Sequence, residues 1–168
     1  MKSLKTLVCV SSFALCFGAA SMASAASITP DGPFTTNSGT LVVKTPSAPG
    51  DITCNVTFGG NVSGGVATIT SAQLSGNVLC SLPTLKNIPS PGWVLTANTF
   101  DPGTQTGTGT VTGVGWTITF PASNCGPGPL NVVWDEATKT LSTTGSQSLS
   151  GNCFVRSLNV KAPTLKLQ

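Results

Sequence analysis

The sequence predicts an all-β fold, an antiparallel β-sandwich or barrel-like domain with two disulfides, following an N-terminal signal peptide. Three observations predict it. Apolar and polar residues alternate with period two in several runs, most clearly in Ile52-Thr53-Cys54-Asn55-Val56-Thr57-Phe58, the pattern of a half-buried strand. The 19 Gly and 12 Pro punctuate the 168 residues so often that few windows stay clear long enough for an average helix. Beyond residue 25, four cysteines remain, Cys54, Cys80, Cys125 and Cys153. An even count in an exported chain reads as a disulfide framework.

The elements follow in order. Residues 1–25 open with Met1-Lys2-Ser3-Leu4-Lys5, continue through Leu7–Val10 and Phe13–Phe17, and end in Ala23-Ser24-Ala25. A basic start, a short apolar run and an Ala-x-Ala site make a secretory signal. The run is too short for a bilayer span, so the expected location is secreted, extracellular or at the cell surface, or periplasmic. Residues 26–168 then form one β-rich domain with no transmembrane segment. Strands are expected at Ile52–Phe58, with a break at Gly59-Gly60-Asn61, then at Val66–Thr70 and at Trp93–Ala97 after the Pro89/Pro91 turn. Others are expected at Val114–Phe120, Leu130–Trp134, Thr140–Leu141, Phe154–Val160 and Leu165–Leu167, with a contribution from Leu149. Asp135–Lys139 reads as a hairpin loop; the rival is a short helix over 135–142, capped by Asp135.

The stretch Thr104–Thr112 places Thr at every second position, with Gln105, Gly107, Gly109 and Val111 between. The Thr phase runs directly into Val114, Trp116, Ile118 and Phe120. A straight strand from Thr104 to Phe120 would be ~56 Å long, several times the ~15 Å radius of gyration of such a domain. It must end or bend, and Gly113 and Gly115 are the places for that. The flat Thr face reads as a solvated edge strand or mobile loop, or as a flat surface that binds a regular or apolar one.

Two regions, about 50–90 and 120–168, share short motifs. Leu74-Ser75-Gly76-Asn77 recurs as Leu149-Ser150-Gly151-Asn152, each shortly before a cysteine, and Pro83-Thr84-Leu85-Lys86 recurs as Pro163-Thr164-Leu165-Lys166. Four cysteines allow three connectivities. If the halves are a duplication, they favour Cys54 with Cys80 and Cys125 with Cys153.

Charge and chemistry are sparse. Eight basic and five acidic residues give a net +3, and removal of Lys2 and Lys5 with the signal leaves six against five. That is no nucleic-acid footprint. The chain has no His, so Ser triads and His-based metal or acid–base chemistry are absent. No phosphate loop, Ser-x-x-Lys or Cys-x-x-Cys occurs, and no cofactor or metal is expected. The acids Asp31, Asp51, Asp101, Asp135 and Glu136 form no recognisable pair. The expectation is a protein that is not an enzyme, with no catalytic residues. Of the three tryptophans, Trp93 and Trp116 share faces with apolar neighbours and read as core. Trp134 precedes a polar turn and is the candidate for exposure and binding.

The signal start Met-Lys-Ser-Leu-Lys-Thr, Thr53-Cys54 opening a strand, and Gly64-Gly65-Val66-Ala67-Thr68-Ile69-Thr70-Ser71-Ala72 carry a resemblance. Cys125-Gly126-Pro127-Gly128-Pro129-Leu130 and the Val133-Trp134-Asp135 hairpin extend it along nearly the whole chain. The sequence resembles the secreted bacterial protein activator of alkane oxidation family. The resemblance implies an exported, non-catalytic protein that promotes alkane use at the interface between cell and hydrocarbon, by emulsification or uptake. Its partners would be hydrocarbon droplets or the cell surface. It assigns no active residues and no oligomeric state. Two other classes remain open: a fimbria-like surface or matrix protein, which would need an unpaired edge, and a carbohydrate-binding module, which would expose Trp rings.

Overall fold

The computed structural model describes residues 26–168; the signal peptide expected over 1–25 lies outside the described residues. The strands are β1 (Ile28–Thr29), β2 (Gly32–Thr35), β3 (Gly39–Lys44), β4 (Ile52–Ser63), β5 (Val66–Ser75), β6 (Thr84–Leu85) and β7 (Trp93–Asp101). They continue as β8 (Thr106–Ile118), β9 (Ser123–Asp135), β10 (Thr140–Thr143), β11 (Gln147–Leu149), β12 (Cys153–Lys161) and β13 (Lys166–Leu167). A single 3-10 turn, Val78–Ser81, interrupts them, with Asn77 as its cap.

Antiparallel pairing runs β3-β4-β5-β7-β8-β9-β10-β12, and β12 pairs back onto β3. The sheet is therefore closed into an eight-stranded up-and-down barrel rather than a sandwich. The shorter strands complete the wall: β2 follows β3 along β4, β11 follows β10 along β12, and β6 takes the place of β7 along β8. An interior of eight strands is just wide enough for side chains to fill or for one small ligand.

One stretch of wall is looser. The β5–β7 ladder covers only Val66–Ile69 against Trp93–Thr96. Beyond it β5 continues to Ser75 without a strand partner on that side, facing the segment that carries the 3-10 turn and β6. The Cys54–Cys80 disulfide ties this turn to β4. Cys125–Cys153 joins β9 to β12.

The Thr-rich stretch shows how the barrel is packed. Thr106, Thr108 and Thr112 face solvent while Gly107, Gly109 and Val111 face in. The glycine face lacks bulk because another element fills it. A Cβ on Gly107 would stand 2.2 Å from Leu167 Cδ2 and 2.6 Å from the Thr99 carbonyl oxygen. Leu167 belongs to β13, which pairs with β1 and closes this end of the barrel. The expected bend occurs at Val111–Val114 and Val114–Trp116, where the β8–β9 register shifts. Gly113 adopts φ +83° there. These bulges flip the phase, so Val114, Trp116 and Ile118 turn inward although they share parity with the outward threonines. On β8 the wall is thus hydroxyl-rich outside and apolar inside, opposite to a lipid-facing barrel.

Two expectations need correction. β4 does not break at Gly59-Gly60-Asn61; it absorbs the glycines in a bulge between Gly59 and Gly60 and runs on to Ser63. Phe120 is not an inward strand residue, because β8 ends at Ile118 and leaves it in the following turn, 86% exposed. The hairpin loop expected over Asp135–Lys139 is present rather than the rival helix, held by Thr138 N–H donating to Asp135 Oδ1 at 2.9 Å.

The recurring tetrapeptides each end a strand and turn toward a disulfide cysteine, with Gly76 and Gly151 at positive φ. The two Pro-Thr-Leu-Lys segments each send a leucine into the barrel, but at opposite ends: Leu85 below the 3-10 turn, Leu165 beside the β1–β13 cap.

Candidate functional site

The barrel has two unlike ends. The capped end is sealed by polar clamps. Glu136 accepts from Trp134 Nε1 at 2.6 Å and from Leu167 N–H at 3.0 Å, and it pairs with Lys139. Ser27 and Gln168 exchange backbone bonds of 2.7 and 3.0 Å. Trp134 sits here, 5% exposed. The polar turn that follows it does not expose the ring, because Trp134 shares the inward phase with Leu130 and Val132 and Glu136 satisfies its N–H. Trp93, Trp116 and Trp134 are all 5–6% exposed, so none presents a surface ring on which a sugar could stack.

The opposite end is a mouth built from three separate segments: residues 45–51 after β3, the 3-10 turn with Leu82, and the 119–122 turn between β8 and β9. Hydroxyls fasten the first to the third. Ser123 Oγ donates to Ser47 Oγ at 2.6 Å, Ser47 N–H donates to Ser123 Oγ at 3.2 Å, and Thr45 Oγ1 lies 3.0 Å from Ser47 Oγ. With no His in the chain, this trio has no imidazole to activate a hydroxyl. Asp51 at the loop's end pairs with Arg156 at 3.4 Å.

Two of the segments that build this mouth carry exposed apolar side chains. Val78 is 84% exposed, Phe120 86% and Leu82 43%. Covering a ring or branched chain of that size is worth ~1.5–3 kcal/mol, so leaving all three in water forgoes several kcal/mol. A hollow of about 90 Å³ opens here, lined by Ala48, Pro49, Leu79, Leu82, Ile118 and Pro121 among others; Val78 and Phe120 adjoin its lining residues Leu79 and Pro121 in the chain. Below it is an interior cavity of about 50 Å³. Ile52, Leu79 and Ile118 line both, so three side chains form the partition.

The interior cavity carries no charged residue in its lining. Thr45, Trp93 and Trp116 are the lining residues with a side-chain hydroxyl or N–H group. Trp93 Nε1 donates to the Lys86 carbonyl at 2.8 Å. Trp116 Nε1 is buried and has no hydrogen-bond partner among the described residues.

Four of the five carboxyls are dispersed in structural tasks. Backbone N–H donation from Gly103 holds Asp101 below its ordinary value, and donation from Thr138 does the same for Asp135. Both are turn clamps on the surface. Glu136 is committed to the cap and Asp51 to Arg156.

Sequence reasoning missed the mouth. Its one readable signal was Phe120 followed directly by Pro121, an aromatic at a turn, which period-two counting assigned to the core. No curated protein and no solved structure matches the chain. A family model described as "Alkane oxidation protein activator PraA/PraB-like" matches residues 1–168, and the chain belongs to that family.

Proposed function

We propose that this protein is an exported, non-catalytic factor that promotes alkane use by seating its apolar mouth on hydrocarbon at the cell surface or on droplets. The observation that carries the reading is an apolar hollow lined by Leu82, with exposed Val78 and Phe120 next in the chain to its lining residues Leu79 and Pro121, at one pole of a barrel whose β8 face is hydroxyl-rich. Exposed apolar clusters of this kind mark interaction sites, and a hydrocarbon surface repays their exposure without needing directional contacts. The family's description as an activator of alkane oxidation supports the choice of partner. The dispersal of the carboxyls supports a role without catalysis. The two disulfides suit a compartment outside the cytoplasm, and the secretory signal expected over residues 1–25 would deliver the chain there.

The test is hexadecane droplet size, and growth of a deletion strain on alkane, against dose of residues 26–168. Droplets should shrink in proportion to protein until their area is covered. Phe120→Ser should lose most of that effect with an unchanged urea midpoint. Asp31, Asp51, Asp101, Asp135 and Glu136 replaced singly by Asn or Gln should retain it. Unchanged droplets with the wild-type protein, or complete loss in one folded carboxyl variant, overturns the reading.

A further inference from the structure

We propose that the cavity beneath the mouth binds the end of a neutral, linear alkyl chain carrying one terminal oxygen, a primary alkanol, and so takes the product of terminal alkane hydroxylation. The choice of an alkyl ligand rests on the functional reading above; the choice of an oxygen rests on the cavity itself.

Size comes first. The interior cavity of about 50 Å³ and the mouth hollow of about 90 Å³ are divided only by Ile52, Leu79 and Ile118. Side by side they approach the ~150 Å³ at which a dry apolar cavity takes up benzene, so the space suits about six carbons. Leu79 is the partition residue on the 3-10 turn, in the stretch where β5 has no strand partner. In this proposal Leu79 swings aside to admit the chain, while Cys54–Cys80 keeps the turn attached to β4.

Chemistry comes second. Trp93 N–H and the Thr45 hydroxyl already have partners at 2.8 and 3.0 Å. Trp116 is 5% exposed, lines the cavity, and its Nε1 has none among the described residues. A buried donor without an acceptor is costly, and a ligand oxygen removes that cost. An n-alkane fills the space but leaves the donor unpaired. A carboxylate supplies an oxygen but brings a charge into a lining with no cation to pair it. A hydroxyl meets both conditions.

The experiment uses residues 26–168 carrying Trp134→Phe, so that only Trp93 and Trp116, both in the cavity lining, fluoresce. Quenching is titrated with 2-bromo-1-hexanol, 2-bromohexane and 2-bromohexanoate, whose length fits the joined space and whose bromine lies beside the end that enters the cavity. The alcohol should quench saturably at one molecule per chain. The bromoalkane should need about tenfold more, the worth of one hydrogen bond to a buried donor, and the carboxylate more still. Adding Trp116→Phe should abolish the preference for alcohol over alkane while Trp93 still reports binding. Ala72→Leu, which fills the cavity, should weaken both ligands, with Leu74→Phe serving the same end should the first variant fail to fold. No quenching, equal half-points for alcohol and alkane, preferred binding of the carboxylate, or an alcohol preference that survives Trp116→Phe overturns the proposal. Droplet shrinkage without quenching defeats the cavity alone. Quenching without any droplet effect defeats the interfacial reading alone.

Discussion

Trp93→Phe and Trp116→Phe make a matched pair. Each removes the same atoms from an indole that is 6% or 5% exposed, so the packing losses nearly cancel in the comparison. What differs is the N–H. In Trp93 it donates to the Lys86 carbonyl at 2.8 Å; deleting it forfeits ~0.5–1.5 kcal/mol and strips the carbonyl of a partner. In Trp116 it has no acceptor among the described residues, and removing an unpaired buried donor recovers ~1–3 kcal/mol. Trp93→Phe should therefore cost about 2 kcal/mol more than Trp116→Phe. With a urea slope of ~2 kcal/mol/M, that separates the two midpoints by about 1 M. The measurement is equilibrium urea unfolding of protein refolded free of ligand, followed by far-ultraviolet circular dichroism so that the lost fluorophore does not matter. Equal midpoints, or a lower midpoint for Trp116→Phe, would refute the reasoning by showing that the Trp116 donor is satisfied.

Other consequences are as direct. The disulfides close chain separations of 26 and 28 residues, so replacing either pair by Ala should cost about 3.5 kcal/mol in the chain-entropy model, read as a lowered urea midpoint. Loss of Cys54–Cys80 should also speed proteolysis within 76–92, which loss of Cys125–Cys153 should not. Gly107→Ala forces a Cβ against Leu167 and the Thr99 carbonyl and should cost ~1–3 kcal/mol, with hydrogen exchange rising first in β1 and β13. Asp101 and Asp135 are held below the ordinary value of 3.8 by Gly103 and Thr138 N–H groups. A depressed folded-state value stabilises above the unfolded value, and that contribution fades as pH falls through the folded one. Thermal midpoints should accordingly stay flat between about pH 5 and 8 and decline only below about pH 4.

Alternation made β4, β7 and the end of β8 readable, because one face of each meets the barrel interior. It could not find β9 from its start, since Cys125-Gly126-Pro127-Gly128-Pro129 has no apolar period and is held as a strand by β8. Leu41-Val42-Val43 in β3 is apolar throughout and hides the phase as well. Closure was equally invisible: the β10–β12 and β12–β3 ladders depend on how far the sheet coils, which no single strand encodes. Phe120 and Trp134 failed for related reasons. Periodicity gives a face but not the residue at which a strand stops, and it does not show that Glu136 folds back to cover the ring before it. The mouth escaped notice because it draws a few residues from each of three distant turns. The unpaired donor on Trp116 is a property of its surroundings and has no sequence signature at all.

The cap has a topological consequence. Ser27 and Gln168 are hydrogen-bonded neighbours, so the described chain is nearly a ring. A short linker across them, with new ends opened in the exposed turn at 102–104, yields a circular permutant with every barrel ladder intact. The same adjacency fixes how the molecule stands when it is tethered. A tag or surface graft at residue 168 sits at the capped pole and leaves Phe120 pointing away from the support, so a monolayer of grafted barrels presents its apolar mouths as the wetted face. Grafting instead through a cysteine placed at position 120 inverts the layer and presents the capped pole. The contact angle of an oil drop on the two layers then compares one end of the molecule with the other.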